Sequence, residues 1–268
     1  MQPTTCANCE KILNPGFAYC PKCGQAAHLH PINGSTLLHE SIHAVTHADK
    51  GIFFLIKELA IRPGVVAREF IAGKRKKYFP PFNFFFIVVG LFVLTLTSAK
   101  TFERNESMES TRVEVREIPD PVKRNRILAK IDRAEAAGRF MAKYSNFVSM
   151  VAVPLMAVIF FLFYFRRGYN FTEHLVANLY FVGFGAIFFI VVATPLISIL
   201  PRKYYLVGIG AYLVFTLFYR AIAYYQFMNR KGGGQFLYAF FASFAGLATW
   251  SVLTQWLIYY YRENGFKI

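Results

Sequence analysis

The 268-residue chain carries a formal net charge of +15, with 55% hydrophobic and 18% aromatic residues. Apolar content of that size, gathered into long runs instead of spread periodically, excludes an ordinary soluble domain. Much of the positive charge lies beside those runs, which suits an anionic membrane surface and argues against nucleic acid as a partner.

All four cysteines fall within the first 23 residues. No basic stretch followed by an apolar one opens the chain, so no cleaved signal peptide is expected and the head is read as facing a reducing cytosol. There, clustered cysteines bind metal more often than they pair as disulfides. Cys6 and Cys9 form one CxxC, and Cys20 and Cys23 a second. Two such knuckles aim four thiolates at one point and predict a structural Zn²⁺ in a small ribbon over residues 1–27. Asn14-Pro15-Gly16 would turn the arm between them, and Gly24 supplies a permissive backbone after the second pair. With all four thiolates used as ligands, no open position is left for catalysis.

Residues 28–81 form the next region, cytosolic or interfacial. A helix is expected from Ser35, with Leu38, Ile42 and Val45 as its apolar stripe. Within it, His39-Glu40-Ser41-Ile42-His43 matches HExxH, and His47 follows one turn later. His39, His43 and His47 are candidates for a second metal site, with Glu40 where a general base would sit and Glu58 or Glu69 as conceivable third ligands. The motif is short and precedes the apolar runs, so a solvated helix face is the plainer reading. A second helix, Ile52 to Ile61, and a segment from Val65 to Ala72 form an amphipathic pair around Arg62-Pro63-Gly64. They would lie in the headgroup plane or pack on the protein's own bundle. Lys74, Arg75, Lys76 and Lys77 then precede Tyr78-Phe79-Pro80-Pro81, as basic and aromatic residues do at a cytoplasmic membrane boundary. They are candidates for binding lipid headgroups or another anion.

Residues 82–268 are read as an all-α membrane domain of five spans: Phe82–Ala99, Phe147–Phe165, Leu175–Leu200, Tyr204–Phe227 and Phe236–Tyr261. A charged loop at 100–146 separates the first two and turns helical after Asp120-Pro121. Pro154 and Pro195 should kink their spans, and Ala239, Ala242, Ser243 and Gly246 suit close packing along the last one. The short basic breaks favour a cytoplasmic N-terminus. Ionisable residues within spans are few. Arg220 is expected to snorkel, and Glu173-His174, with Asn178 one turn on, reads as a boundary pair.

CPKCGQ at Cys20 to Gln25, ADKGIFFLIKELAIRPG at Ala48 to Gly64, REFIAGKRKKYFPPF at Arg68 to Phe82 and FTEHLVANLY at Phe171 to Tyr180 carry a resemblance. The chain is similar to a family of bacterial polytopic membrane proteins with a zinc-ribbon head, domain of unknown function 3667. That resemblance implies a bacterial inner-membrane protein and brings no activity. Arg62, Glu173, His174 and Asn178 are therefore candidates of unknown role. Three functions stay open. The leading one is a non-enzymatic protein whose ribbon and interfacial helices dock a cytosolic protein partner or anionic lipid. The others are a solute or lipid transporter or channel, as a homo-oligomer, and a zinc hydrolase built on HESIH.

Overall fold

The computed structural model describes residues 5–14, 16–27, 51–98, 105–143, 145–165, 168–201 and 204–264. Among them the chain is helical, with two isolated β-bridges in the head and no strand. The helices are α1 (Gly51–Ile61), α2 (Pro63–Ile71), α3 (Pro81–Ser98), α4 (Asn105–Arg116), α5 (Pro121–Lys143), α6 (Ser145–Phe163), α7 (Phe171–Phe188), α8 (Thr194–Ile199), α9 (Tyr205–Met228) and α10 (Gly233–Asn264).

Among the described residues three helices, not the expected five, are long and apolar enough to cross a membrane: Phe171–Ile199, Leu206–Met228 and Gly233–Asn264. The other two apolar stretches are shorter, Pro81–Thr95 and Met150–Phe163. α3 has 18 residues, a rise of about 27 Å against a hydrocarbon core of about 30 Å. Polar residues take up its end at Thr97-Ser98 and the start of α6 at Ser145-Asn146.

The chain divides into two compact units. The first comprises Met1–Val89 and Val153–Gly246. Its core is aromatic: Phe70, Tyr78, Phe84, Phe160, Tyr164, Tyr180, Phe181, Tyr224 and Phe227 are all buried in one cluster with Leu55, Leu59, Val66 and Ala67. α2 packs on both α7 and α9, so the amphipathic pair rests on the protein's own bundle, a placement that does not exclude one in the headgroup plane. Pro63 opens α2, where its missing N–H costs nothing and its fixed φ suits the first turn. Gly73, at φ +108°, ends it and lets the Lys74 amide donate back to the Glu69 carbonyl.

α7 begins with reciprocal capping. The Asn170 side chain accepts from the Glu173 amide, and the Glu173 carboxylate accepts from the Asn170 amide. Pro195 cannot donate to the helical ladder, and the turn before it, Phe189–Ala193, widens into a π-helix before α8 resumes. Thr194 Oγ1 donates to the Phe189 carbonyl there. The small face expected on the last span is real: Ala239, Ala242, Ser243 and Gly246 are the buried residues of α10. A β-carbon on Gly246 would sit 3.1 Å from Met156 Sδ.

The second unit comprises Gly90–Ala152 and Leu247–Ile268. Asp120 caps α5, its Oδ1 accepting from the amides of Val122 and Lys123. The preceding helix α4 was not foreseen. Arg112 ties α4 to α5 through Asp132 and Glu135. Lys130 pairs with Glu263, and Arg133 donates to the carbonyls of Arg262 and Glu263, the last turn of α10.

Candidate metal centre and buried polar cluster

The ribbon consists of two similar knuckles. The Cys6 amide donates to the Lys11 carbonyl and the Glu10 amide to the Cys6 carbonyl. Fourteen residues on, the Cys20 amide donates to Gln25 and the Gly24 amide to Cys20. Each knuckle turns through a left-handed residue, Glu10 at φ +61° and Gly24 at φ +69°. The glycine was legible in the sequence, but a glutamate in the matching position of the first knuckle was not.

The four Sγ atoms lie within 4.8 Å of one another. Cys6 faces Cys23 and Cys9 faces Cys20, each at 3.6 Å, and all four are free thiols. A Zn²⁺ with Zn–S bonds of about 2.3 Å spaces its sulfurs about 3.8 Å apart, so the cluster fits a tetrahedral ion. Burial opposes ionisation of Cys20, but the amides of Lys22 and Cys23 pull its pKa down to about 6. The Lys11 amide lowers Cys9, yet burial and the neighbouring thiols outweigh it and push that group up to about 11. Packed thiols resist ionising together, and a cation at their centre relieves that conflict.

Gln25, the residue after the second knuckle, is buried, and its Oε1 accepts from the Lys76 amide at 3.1 Å. The ribbon is thereby pinned to the basic turn. That turn is itself folded around one carboxylate. Lys74 Nζ, Lys77 Nζ and Tyr78 Oη all reach Glu69, at 3.1, 2.7 and 2.6 Å. Burial works against the charge on Glu69, but Lys77, Tyr78 and Lys74 outweigh it and hold its pKa at about 2. Of the four basic side chains singled out, two thus share one negative charge, and Lys76 is exposed.

Arg62, in the break between α1 and α2, pairs with Glu58 one turn back, its Nε donating to Oε2 at 2.6 Å. Glu58 and Glu69, the conceivable third ligands of a histidine metal site, are both engaged elsewhere. His39, Glu40, His43 and His47 lie outside the described residues.

The remaining candidates separate into two roles. Glu173 caps α7. His174 and Asn178 turn inward and are fully buried. Asn178 Nδ2 donates to Tyr224 Oη at 2.6 Å and to the His174 carbonyl at 2.9 Å. Tyr224 Oη lies 3.5 Å from His174 Nδ1. Arg220 joins them, one guanidinium nitrogen donating to Asn178 Oδ1 at 3.3 Å. The expected snorkelling does not occur: Arg220 is 3% exposed. Eight residues, about 12 Å of helix, separate it from the end of α9, and its inward face is built of Tyr224 and Ala223 instead of lipid-facing residues. Tyr224 was missed, although its i, i+4 spacing from Arg220 puts both on one side of α9.

The family model described as Protein of unknown function (DUF3667) matches residues 49–93, so that segment is similar to an uncharacterised family. The match spans α1, α2, the basic turn and the first part of α3. No curated protein and no solved structure matches the chain.

Proposed function

We propose that this is a multi-pass, non-enzymatic protein of the bacterial cytoplasmic membrane, N-terminus inside, whose zinc ribbon and basic turn dock on anionic lipid headgroups. The observation that carries this reading is the Gln25–Lys76 hydrogen bond. It holds the ribbon against a turn five residues before the apolar helix α3 begins. Lys74 and Lys77 share the single Glu69 charge and Lys76 is exposed, which leaves basic surface at that turn. The ribbon adds exposed Lys11 and Lys22 next to Ile12 and Tyr19, which are 76% and 67% exposed. Mixed basic, aromatic and aliphatic surface of this kind binds the headgroup layer.

Hydrogen exchange on the full chain in nanodiscs tests it. Amides of residues 5–27 should exchange more slowly in discs containing phosphatidylglycerol than in phosphatidylcholine discs, and added salt should erase the difference. Equal exchange in both would remove the lipid reading. A cytosolic protein partner is the second reading, favoured by the same exposed Ile12, Phe17 and Tyr19. The transporter reading, as a homo-oligomer, rests on the buried Arg220 cluster alone.

A further inference from the structure

The polar cluster between α7 and α9 has more donors than acceptors. A guanidinium stays charged under all ordinary conditions and offers five N–H groups. Arg220 engages Asn178 Oδ1, and no carboxylate among the described residues pairs with it. Asn178 has already committed its amide nitrogen to Tyr224 and to the His174 carbonyl. Since Tyr224 Oη accepts that hydrogen, its own proton is directed to His174 Nδ1. His174 then carries its hydrogen on Nε2, and that buried atom has no hydrogen-bond partner.

Two features therefore occur in one cluster: a buried guanidinium with no carboxylate partner among the described residues, and a buried His174 Nε2 with no hydrogen-bond partner. Buried ions are stable when paired and fully hydrogen-bonded, and arginines within membrane bundles mark ion or substrate sites. Unmatched donors call for a negatively charged or strongly accepting occupant, so a cation is excluded. The site sits deep among Tyr164, Tyr224, Phe160 and Phe227, so the occupant must be small. We infer that Arg220 binds a small anion of chloride or carboxylate size, with Asn178 orienting the guanidinium and His174 as a second donor. The α1–α2 pair covers the same region, Tyr219 Oη donating to the Leu59 carbonyl at 3.2 Å. The inference does not depend on the ribbon or the basic turn.

The full chain in phosphatidylcholine nanodiscs provides the test. Its unfolding midpoint is followed by the fluorescence of Trp250 and Trp256 while chloride, or separately acetate, replaces gluconate at constant ionic strength. Binding to the native state alone raises the midpoint in a saturable way. The expected result is such a rise in the parent and in Lys123→Gln, an exposed position on α5, and none in Arg220→Met. Should Arg220→Met fail to fold, Asn178→Asp decides, because its carboxylate supplies the counter-charge internally and should abolish the response to added anion. A parent insensitive to both anions overturns the inference, as does a response that survives in Arg220→Met or Asn178→Asp. Stabilisation by phosphatidylglycerol without any response to chloride or acetate also overturns it, assigning the site to a lipid headgroup.

Discussion

Gly64 of α2 lies so close to Ala223 of α9 that a β-carbon on the glycine would overlap the Ala223 carbonyl oxygen. The same atom would collide with the Phe227 amide nitrogen and lie 2.6 Å from Gln226 Cβ. Around this contact, the Gly64 amide donates to Gln226 Oε1 at 3.2 Å and Arg68 donates to the Gln226 carbonyl at 3.0 Å. The glycine is required here for close approach of two backbones.

Gly64→Ala should therefore dislodge α2 from α9. Overpacking costs about 1–3 kcal/mol where side chains can yield, and backbone atoms yield less, so the loss should reach the upper end of that range. Thermal unfolding in detergent would measure it. Gly138→Ala is the control, because nothing lies within 4 Å of its added carbon. In a helix interior that change should be neutral or stabilising, by up to about 1 kcal/mol.

The metal site should be separable from the bundle. The ribbon's buried core is Cys6, Leu13, Cys20 and Ala27, far too little apolar area to fold it without an ion. Cys20→Ser should lose the zinc and leave residues 5–27 readily cleaved by protease, while the helices remain inserted. Metal analysis should find one zinc per chain in the parent and none in that variant. Zinc that survives it and then disappears with His43→Ala would establish the second site.

Glu69 gives the basic turn a defined pH dependence. Its folded pKa, about 2, lies below its ordinary value of 4.5. A depressed carboxylate contributes stability that is complete above the unfolded pKa and is lost as pH falls toward the folded one. The difference between the parent and Glu69→Gln should accordingly be constant above about pH 5 and shrink between pH 4.5 and 2. The partly exposed ion pairs are screened, so about 1–2 kcal/mol is expected at neutral pH. A difference that persists undiminished at pH 2.5 would show that the carboxylate's charge is not what holds the turn.

Much of this was legible in the residues because it depended on local chemistry. The paired CxxC, the break at Pro63-Gly64, the Asp120 cap and the small face of α10 each follow from a few neighbouring side chains. What could not be read are relations between distant segments. Glu69 sits between Arg68 and Phe70, and nothing in those neighbours shows that Lys74, Lys77 and Tyr78 fold back onto it. Arg220 resembles an ordinary boundary arginine until α7 brings Asn178 opposite. Among the described residues fewer than five spans are shown, because hydropathy marks an apolar run without fixing where its helix starts and ends.

The last expectation concerns Gln25. Its side chain joins two elements whose stabilities have separate sources, the proposed thiolate–metal bonds in the ribbon and aromatic packing around Tyr78 and Phe79 in the turn. Gln25→Ala removes the acceptor of the Lys76 amide without touching a metal ligand or a residue of the aromatic core. A single hydrogen bond of this kind contributes about 1 kcal/mol, too little to unfold either part but enough to free one from the other. The variant should keep its zinc and its unfolding midpoint, while the Lys76 amide exchanges several-fold faster. If the ribbon reads lipid only when held against the turn, the slower exchange of residues 5–27 on phosphatidylglycerol discs should also vanish. Retention of that protection in Gln25→Ala would mean that the ribbon binds headgroups through its own Lys11, Ile12, Tyr19 and Lys22, with the turn acting merely as a tether.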